Sequence, residues 1–131
     1  MENLTSNITE ILILLFVLIT FMQSGIDKIV DWQANIDWLK SHFSDTFLSE
    51  SVPLMVGIIT VIEIITGILA ILGILWILAY NEMSLGLYSC ILGCLTLIML
   101  LFGQRVAKDY AGAFTLTGYF IVCIIGVYIL K

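Results

Sequence analysis

Long stretches without a charged side chain alternate with short charged clusters along this chain. Three of the stretches contain no Asp, Glu, Lys or Arg, and a fourth contains only Glu63. These stretches are residues 11–26, 51–81, 83–104 and 110–130. A helix that crosses a bilayer needs about 20 mainly apolar residues. With their flanking turns, the stretches therefore predict spanning helices at about residues 8–29, 53–79, 84–102 and 110–130.

The pattern favours helices over strands. A strand of a membrane barrel alternates apolar and polar residues, whereas residues 11–18 are apolar without a break. Backbone groups in lipid must be hydrogen-bonded, and a helix bonds all of them within one segment. Pro53 suits the first turn of a helix, and Asp109 suits the residue that caps the next one. The sequence thus predicts an all-α, integral membrane four-helix bundle, with residues 1–131 forming a single domain.

Between the first and second predicted spans lies a segment that is rich in charge and in aromatic residues. Residues 27–50 hold seven of the fifteen charged side chains. Large apolar side chains recur there at helical spacing, namely Trp32, Ile36, Leu39, Phe43 and Phe47. This spacing predicts a short amphipathic helix at about residues 31–47, lying at the membrane interface with its tryptophans at headgroup depth. A docking surface for a partner protein is the alternative interpretation.

Composition narrows the class of protein. Hydrophobic residues make up 61% of the chain, the mean hydropathy is +1.14 and the net charge is −5. A soluble chain this short cannot bury so much apolar surface, which excludes a soluble enzyme and a nucleic-acid binder. The bilayer is therefore the first expected partner, and other membrane subunits or further copies of the chain are the next.

Most of the basic residues are predicted at one end of the bundle, which we call the charged end. It comprises residues 27–50 and the turn at 103–109, and it holds four of the five Lys and Arg residues. The positive-inside rule would place this end in the cytoplasm and both termini outside. The basic residues at the charged end are Lys28, Lys40, Arg105 and Lys108.

Glu63 is the charged residue predicted deepest in a span. It lies ten residues beyond Pro53, or about 15 Å along a helix that rises 1.5 Å per residue. A helical wheel places it on one face with Gly57, Thr60 and Gly67, and such small residues mark close helix packing. A carboxylate at this depth usually faces protein or a polar cavity and marks function. A buried polar network that fixes helix register is the structural alternative.

The topology predicts which polar groups lie near Glu63. Glu63 is expected to pair with a cation or to bind a proton, and Lys28 or Arg105 could be that cation. The functional interpretation is a pocket that opens toward the charged end and binds an amphipathic or quinone-like ligand, or protons. Its candidate ligand-binding residues are Gln23, Lys28, Glu63, Gln104, Arg105 and Asp109.

Cysteine and histidine give little support for other chemistry. Cys90 and Cys94 are one helical turn apart, with Cys123 in the last span, so their spacing differs from that of Cys-x-x-Cys oxidoreductases. Close helix packing is the favoured interpretation, and a membrane thiol oxidoreductase stays an alternative. His42 has no second His or Cys at ligand spacing, so no metal site is predicted. No catalytic residue is assigned, and we expect no catalytic activity from the chain alone.

Several of these segments resemble the DoxX family of small four-helix bacterial membrane proteins. The end of the first span, QSGIDK at residues 23–28, resembles the family's Ser/His-Gly-x-x-Lys signature. Three further segments resemble a subgroup of the family that is common in Bacteroidetes-type bacteria. They are residues 31–43, residues 52–63 with Thr60 and Glu63, and residues 102–113. The resemblance covers nearly the whole chain.

The resemblance implies a multi-pass protein of the bacterial inner membrane. Members of the family are associated with thiosulfate:quinone oxidoreductase, with a terminal quinol oxidase and with thiol-stress complexes. Together with the small mass outside the predicted spans, this leads us to expect an accessory subunit of a larger, respiratory or redox-linked complex. No cofactor is evident from the residues, and a quinone is the one that the resemblance suggests. The family has no agreed set of catalytic residues to transfer.

Overall fold

The computed structural model describes residues 2–131, and this part of the chain contains helices and no strand. Four helices in it are long and apolar enough to cross a membrane. The predicted all-α bundle is confirmed. The elements are α1 (Glu2–Ser6), α2 (Ile8–Val30), α3 (Trp32–His42), a 3-10 turn (Ser49–Ser51), α4 (Val52–Tyr80), α5 (Ser84–Val106) and α6 (Tyr110–Leu130).

The ends of the spanning helices follow from local chemistry. Pro53 lies in the first turn of α4, where its missing N–H costs no hydrogen bond. Asp109 caps α6, because its Oδ1 accepts a hydrogen bond from the backbone N–H of Gly112 at 2.9 Å. Asn81 ends α4 in the left-handed conformation with φ of 55°, which asparagine tolerates better than most residues. The α4–α5 connection is thus a tight turn.

The spanning helices pack mainly in chain order, with α2 against α4, α4 against α5 and α5 against α6. Glycines allow the closest approach. A Cβ atom on Gly73 of α4 would lie 2.7 Å from the backbone of Gly86 of α5, so Gly73 has no room for a side chain. Leu14 and Phe21 of α2 are buried in the main core beside α4, α5 and α6. Small residues at such crossings let helix backbones approach closely.

The amphipathic helix between the first two spans is α3. Its Ile36 is 4% exposed and packs with Phe43 against Val52 and Val56 of α4, forming a second small core. The helix ends at His42, short of the predicted limit at residue 47, and Phe47 is exposed beyond it. The apolar face of α3 therefore covers one end of α4.

A short helix that the hydropathy pattern did not predict lies at the opposite end of the bundle. The side-chain amide of Asn3 in α1 donates to the carbonyl oxygen of Leu78 at 3.0 Å. The amide of Asn7 donates to Oδ1 of Asn81 at 2.6 Å. These bonds hold α1 on the end of α4, away from the charged end.

Candidate functional site

Glu63 is buried in the middle of α4 and paired with a cation from α2. It is 1% exposed, and the Nζ of Lys28 lies 2.8 Å from its Oε1. The ammonium group also donates to the hydroxyl of Ser24, one turn earlier on α2, at 2.7 Å. Oε1 of Glu63 has no partner with hydrogen-bonding geometry. The contact is thus a close ion pair whose geometry is unfavourable for a hydrogen bond, and its attraction is Coulombic.

Two glycines bring α2 and α4 close enough for this pair. A Cβ atom on Gly25 would lie 2.6 Å from Ile64 and 3.6 Å from the Cβ of Glu63. A Cβ atom on Gly67 would lie 2.7 Å from Met22. Without those side chains the two helices approach, and the stem of Glu63 packs beside the α2 backbone. The short path between the helices lets Lys28 reach a carboxylate that lies well inside the span.

A second polar cluster lies between α3 and the α5–α6 turn. Nε2 of His42 is 3.2 Å from Oε1 of Gln104 and 3.6 Å from Oδ2 of Asp109. The ring of Trp38 stacks on the imidazole, with centroids 4.8 Å apart and planes tilted by 15°. His42 therefore connects the end of α3 to the end of α5. We name His42, Gln104 and Asp109 the histidine cluster.

Sequence reasoning treated His42 as an isolated residue and missed this role. The available signal was topological, because His42 and Asp109 both belong to segments that were predicted at the charged end. Spacing along the chain could not supply the pairing, since the two residues are 67 positions apart. Only the packing of α3 on the bundle brings them together.

The two other predicted site residues lie apart from the ion pair. Arg105 is exposed, and its guanidinium group stacks over the ring of Tyr110 at 4.9 Å from the centroid. Gln23 is exposed on α2. The six predicted residues thus divide into the Lys28–Glu63 pair, two members of the histidine cluster and two exposed side chains.

A cavity of about 180 Å³ lies between α3, α4 and α5 and touches both polar groups. Lys28 and Gln104 form its polar wall, and Glu63 lies outside the wall, in contact with Lys28. On the α5 side its edge is formed by Met99 and Phe102, which are 38% and 58% exposed. Its other walls are apolar and include Leu39, Phe43, Val52, Val56, Ile59 and Leu100.

The three cysteines occupy the packed interior of the spans. Cys90, Cys94 and Cys123 are free thiols and are buried. The Sγ of Cys90 lies 2.6 Å from the place where Gly126 would carry a Cβ atom, and the Sγ of Cys123 lies 3.1 Å from the corresponding place on Gly93. The thiols of Cys90 and Cys123 therefore fill spaces between α5 and α6 that the two glycines leave. Among residues 2–131, His, Cys, Asp and Glu side chains form no group of three that could hold a metal ion.

Comparison of the chain with protein-family models, with curated proteins and with solved structures finds no match. The fold and the site define the class of protein from the chain itself. It is a small multi-pass membrane protein in which a buried ion pair lies beside a largely apolar cavity.

Proposed function

We propose that this membrane protein binds an amphipathic molecule in the cavity between α3, α4 and α5. The observation that carries the proposal is the division of the cavity wall. Lys28 and Gln104 are the polar residues of the wall, and its other lining residues are apolar. Pockets for small molecules combine apolar walls with a few polar groups that set the orientation of the ligand. The polar group of the ligand would lie at Lys28 and Gln104.

The size of the cavity limits the part of the ligand that it can hold. An engineered apolar cavity of about 150 Å³ binds benzene, and this cavity measures about 180 Å³. It therefore accepts a group of about one ring, or a short length of acyl chain. The rest of an amphipathic molecule would extend past Met99 and Phe102, which are exposed on α5. A quinone and a single-chain lipid both have this form.

The test compares one substitution at two positions of α4. Val56 lines the cavity and is 6% exposed, whereas Val61 is 59% exposed on the same helix. Val56→Phe would fill the cavity, and Val61→Phe adds the same group on the outer face. After purification in mild detergent, amphipathic molecules retained by the protein would be identified and quantified by mass spectrometry. We expect the retained molecule to be lost from Val56→Phe only.

Equal retention by both variants, or no retained amphiphile in the wild-type protein, would contradict the proposal. Val56 is in a small core, so folding of its variant has to be confirmed by helical content. Met99→Trp provides a second obstruction at the half-exposed edge of the cavity, where the added ring has room to extend into detergent or lipid.

We further propose that the protein acts as an accessory subunit of a larger complex in the bacterial inner membrane. The DoxX resemblance supports a respiratory or redox-linked complex, and the chain itself offers little mass outside its four candidate spans. Trp38 of α3 is 60% exposed and provides an apolar contact surface at the charged end. Purification in mild detergent that yields only a free monomer or homo-oligomer would contradict this role.

A further inference from the structure

We propose that the polar group of the ligand is an uncharged hydrogen-bond acceptor, such as an ester or ketone oxygen, and carries no net charge. This inference rests on the binding function proposed above and specifies the ligand of the same cavity. It follows from the charge balance at Lys28 and from the number of hydrogen-bond donors on the polar wall.

The charge at the polar wall is already balanced. Lys28 is cationic, and the carboxylate of Glu63 lies 2.8 Å from its Nζ. Glu63 is 1% exposed, so little water screens its charge. A ligand carboxylate placed at Lys28 would be attracted by the ammonium group and repelled by Glu63 behind it. The site would then hold one uncompensated negative charge in surroundings of low polarity, which is costly.

A cationic ligand group is disfavoured for a different reason. Lys28 is part of the cavity wall, whereas Glu63 lies behind Lys28 and does not line the cavity. An ammonium group in the cavity would therefore meet the ammonium group of Lys28 first. Like charges at close range repel strongly where water is largely excluded.

The hydrogen-bonding groups of the cavity wall favour a ligand group that accepts a hydrogen bond. An ammonium group has three donors. The Lys28 group uses one of them in its hydrogen bond to Ser24 Oγ, and its contact with Oε1 of Glu63 lacks hydrogen-bond geometry. A donor therefore remains for a group in the cavity. A carbonyl or ester oxygen accepts such a bond without adding charge.

Gln104 is the second polar residue of the cavity wall. Nε2 of His42 faces two oxygen atoms, Oε1 of Gln104 and Oδ2 of Asp109. An ionised carboxylate only accepts hydrogen bonds, so the proton of the imidazole is placed on Nε2. Oε1 of Gln104 is then used by His42, and Nε2 of Gln104 lies 2.8 Å from the place where Gly112 would carry a Cβ atom, at the start of α6. The free donor on the wall is therefore that of Lys28.

The test uses two probes with the same acyl chain, laurate and 1-monolauroylglycerol, at a pH where laurate is ionised. Binding to the purified full-length protein would be measured by native mass spectrometry in a non-binding detergent. For the wild-type protein we expect the neutral ester to bind at least about tenfold more tightly, which corresponds to about 1.4 kcal/mol.

Glu63→Gln then changes the charge balance with little change in shape. It leaves Lys28 without its counter-ion, so we expect laurate to become the preferred probe. Glu10→Gln makes the same change in total charge at the opposite end of α2, and it should keep the wild-type preference. Reversal in Glu63→Gln but not in Glu10→Gln would support the charge-balance argument.

The outcomes separate this inference from the function on which it rests. If wild-type protein binds laurate as tightly as the ester, the inference is wrong and the binding function stands. If wild-type protein binds neither probe, the binding function fails and the inference with it. The wild-type comparison holds even if Glu63→Gln does not fold. A folded Glu63→Gln protein that keeps the wild-type preference would also overturn the inference.

Discussion

Lys28 on α2 and Glu63 on α4 form an ion pair across the helix interface, with Nζ and Oε1 2.8 Å apart. The carboxylate side chain is 2% exposed and the lysine side chain 20% exposed. The pair thus connects a buried charge to the wall of a cavity that lies near the charged end. Burying two charges costs desolvation energy, and their attraction compensates for it only while both are present.

We therefore expect Lys28→Met to be strongly destabilising, by about 3 kcal/mol, because it leaves the buried Glu63 carboxylate uncompensated. The double variant Lys28→Met with Glu63→Leu should recover most of this loss, since apolar pairs commonly replace buried ion pairs without cost. Unfolding in mixed micelles would measure both effects. A Lys28→Met protein as stable as the wild type would show that the ion pair does not contribute to stability.

The close crossing of α4 and α5 leads to a separate prediction about packing. A Cβ atom at Gly73 would lie 2.7 Å from backbone atoms of Gly86, which cannot move aside as a flexible side chain would. We expect Gly73→Ala to destabilise the protein by about 1–3 kcal/mol, the usual cost of overpacking.

Gly118 of α6 is the matched control for this substitution. A Cβ atom there would meet nothing within 4 Å. Gly118→Ala should be neutral, or stabilising by up to about 1 kcal/mol, because alanine has the higher helix propensity. Equal effects of the two substitutions on the thermal midpoint would show that the close crossing does not limit stability.

The positions of the spans were predictable because each depends on the composition of its own stretch of chain. The apolar stretches were read correctly as helices, and the small-residue face of α4 correctly placed Glu63 in the interior. The short helix α1 was missed for the opposite reason. Residues 2–6 have little apolar character, and bonds such as that from Asn3 to the Leu78 carbonyl, 75 residues away, hold them in place.

The site was predictable only in part, because the pairing of its residues depends on contacts between helices that are distant along the chain. The topology placed Lys28 and Arg105 at the charged end, but sequence alone could not choose between them as the partner of Glu63. The structure brings Lys28 to Glu63 and places Arg105 over the ring of Tyr110. The choice depends on the close approach of α2 and α4 at Gly25, which is a tertiary feature.

Glu82, in the turn between α4 and α5, gives a prediction about pH. Its carboxylate accepts hydrogen bonds from the hydroxyl and the backbone N–H of Ser84, and these bonds lower the pKa of Glu82 below its usual value. A lowered pKa in the folded state gives stability that is present above the unfolded-state pKa and is lost as the pH falls through the folded-state pKa. The affected pH range is therefore acidic, below the ordinary glutamate pKa.

Ser84→Ala removes the hydroxyl donor, which is the largest cause of the shift. We expect the pKa of Glu82 to rise toward its usual value, as followed by NMR titration of the labelled side chain. Thr115→Ala removes a hydroxyl on α6 that donates to the carbonyl oxygen of Ala111 in the same helix, and it should leave the titration of Glu82 unchanged. An unchanged pKa of Glu82 in Ser84→Ala would show that the backbone N–H alone maintains the shift.

The burial of the cysteines predicts their reactivity. Cys90, Cys94 and Cys123 are 0%, 7% and 1% exposed, so we expect a maleimide reagent to label the folded protein slowly and the denatured protein fully. Ser51→Cys, at an exposed position of the 3-10 turn, provides a thiol that should react quickly in the folded state. Rapid labelling of the wild-type protein would favour the thiol oxidoreductase interpretation, because reactive cysteines require access and a thiolate form.

The histidine cluster predicts how firmly α3 is held on the bundle. His42 bonds the end of α3 to Gln104, and α3 contributes Leu39 to the cavity wall. His42→Ala removes the Nε2–H donor and the stacking partner of Trp38, while Phe43 keeps its apolar contacts. We expect faster amide hydrogen exchange in residues 32–43 and little change in the four spans.

Lys40→Ala is the matched control, since Lys40 is exposed on the same helix and loses a comparable length of side chain. If only apolar contacts hold α3 over the cavity, the amide hydrogens of residues 32–43 will exchange at similar rates in His42→Ala and Lys40→Ala. If His42 fastens α3 to the end of α5, exchange will increase in His42→Ala alone. His42→Gln should then lie between His42→Ala and the wild type, because its amide can still donate to Gln104 but cannot stack on Trp38 as an aromatic ring does.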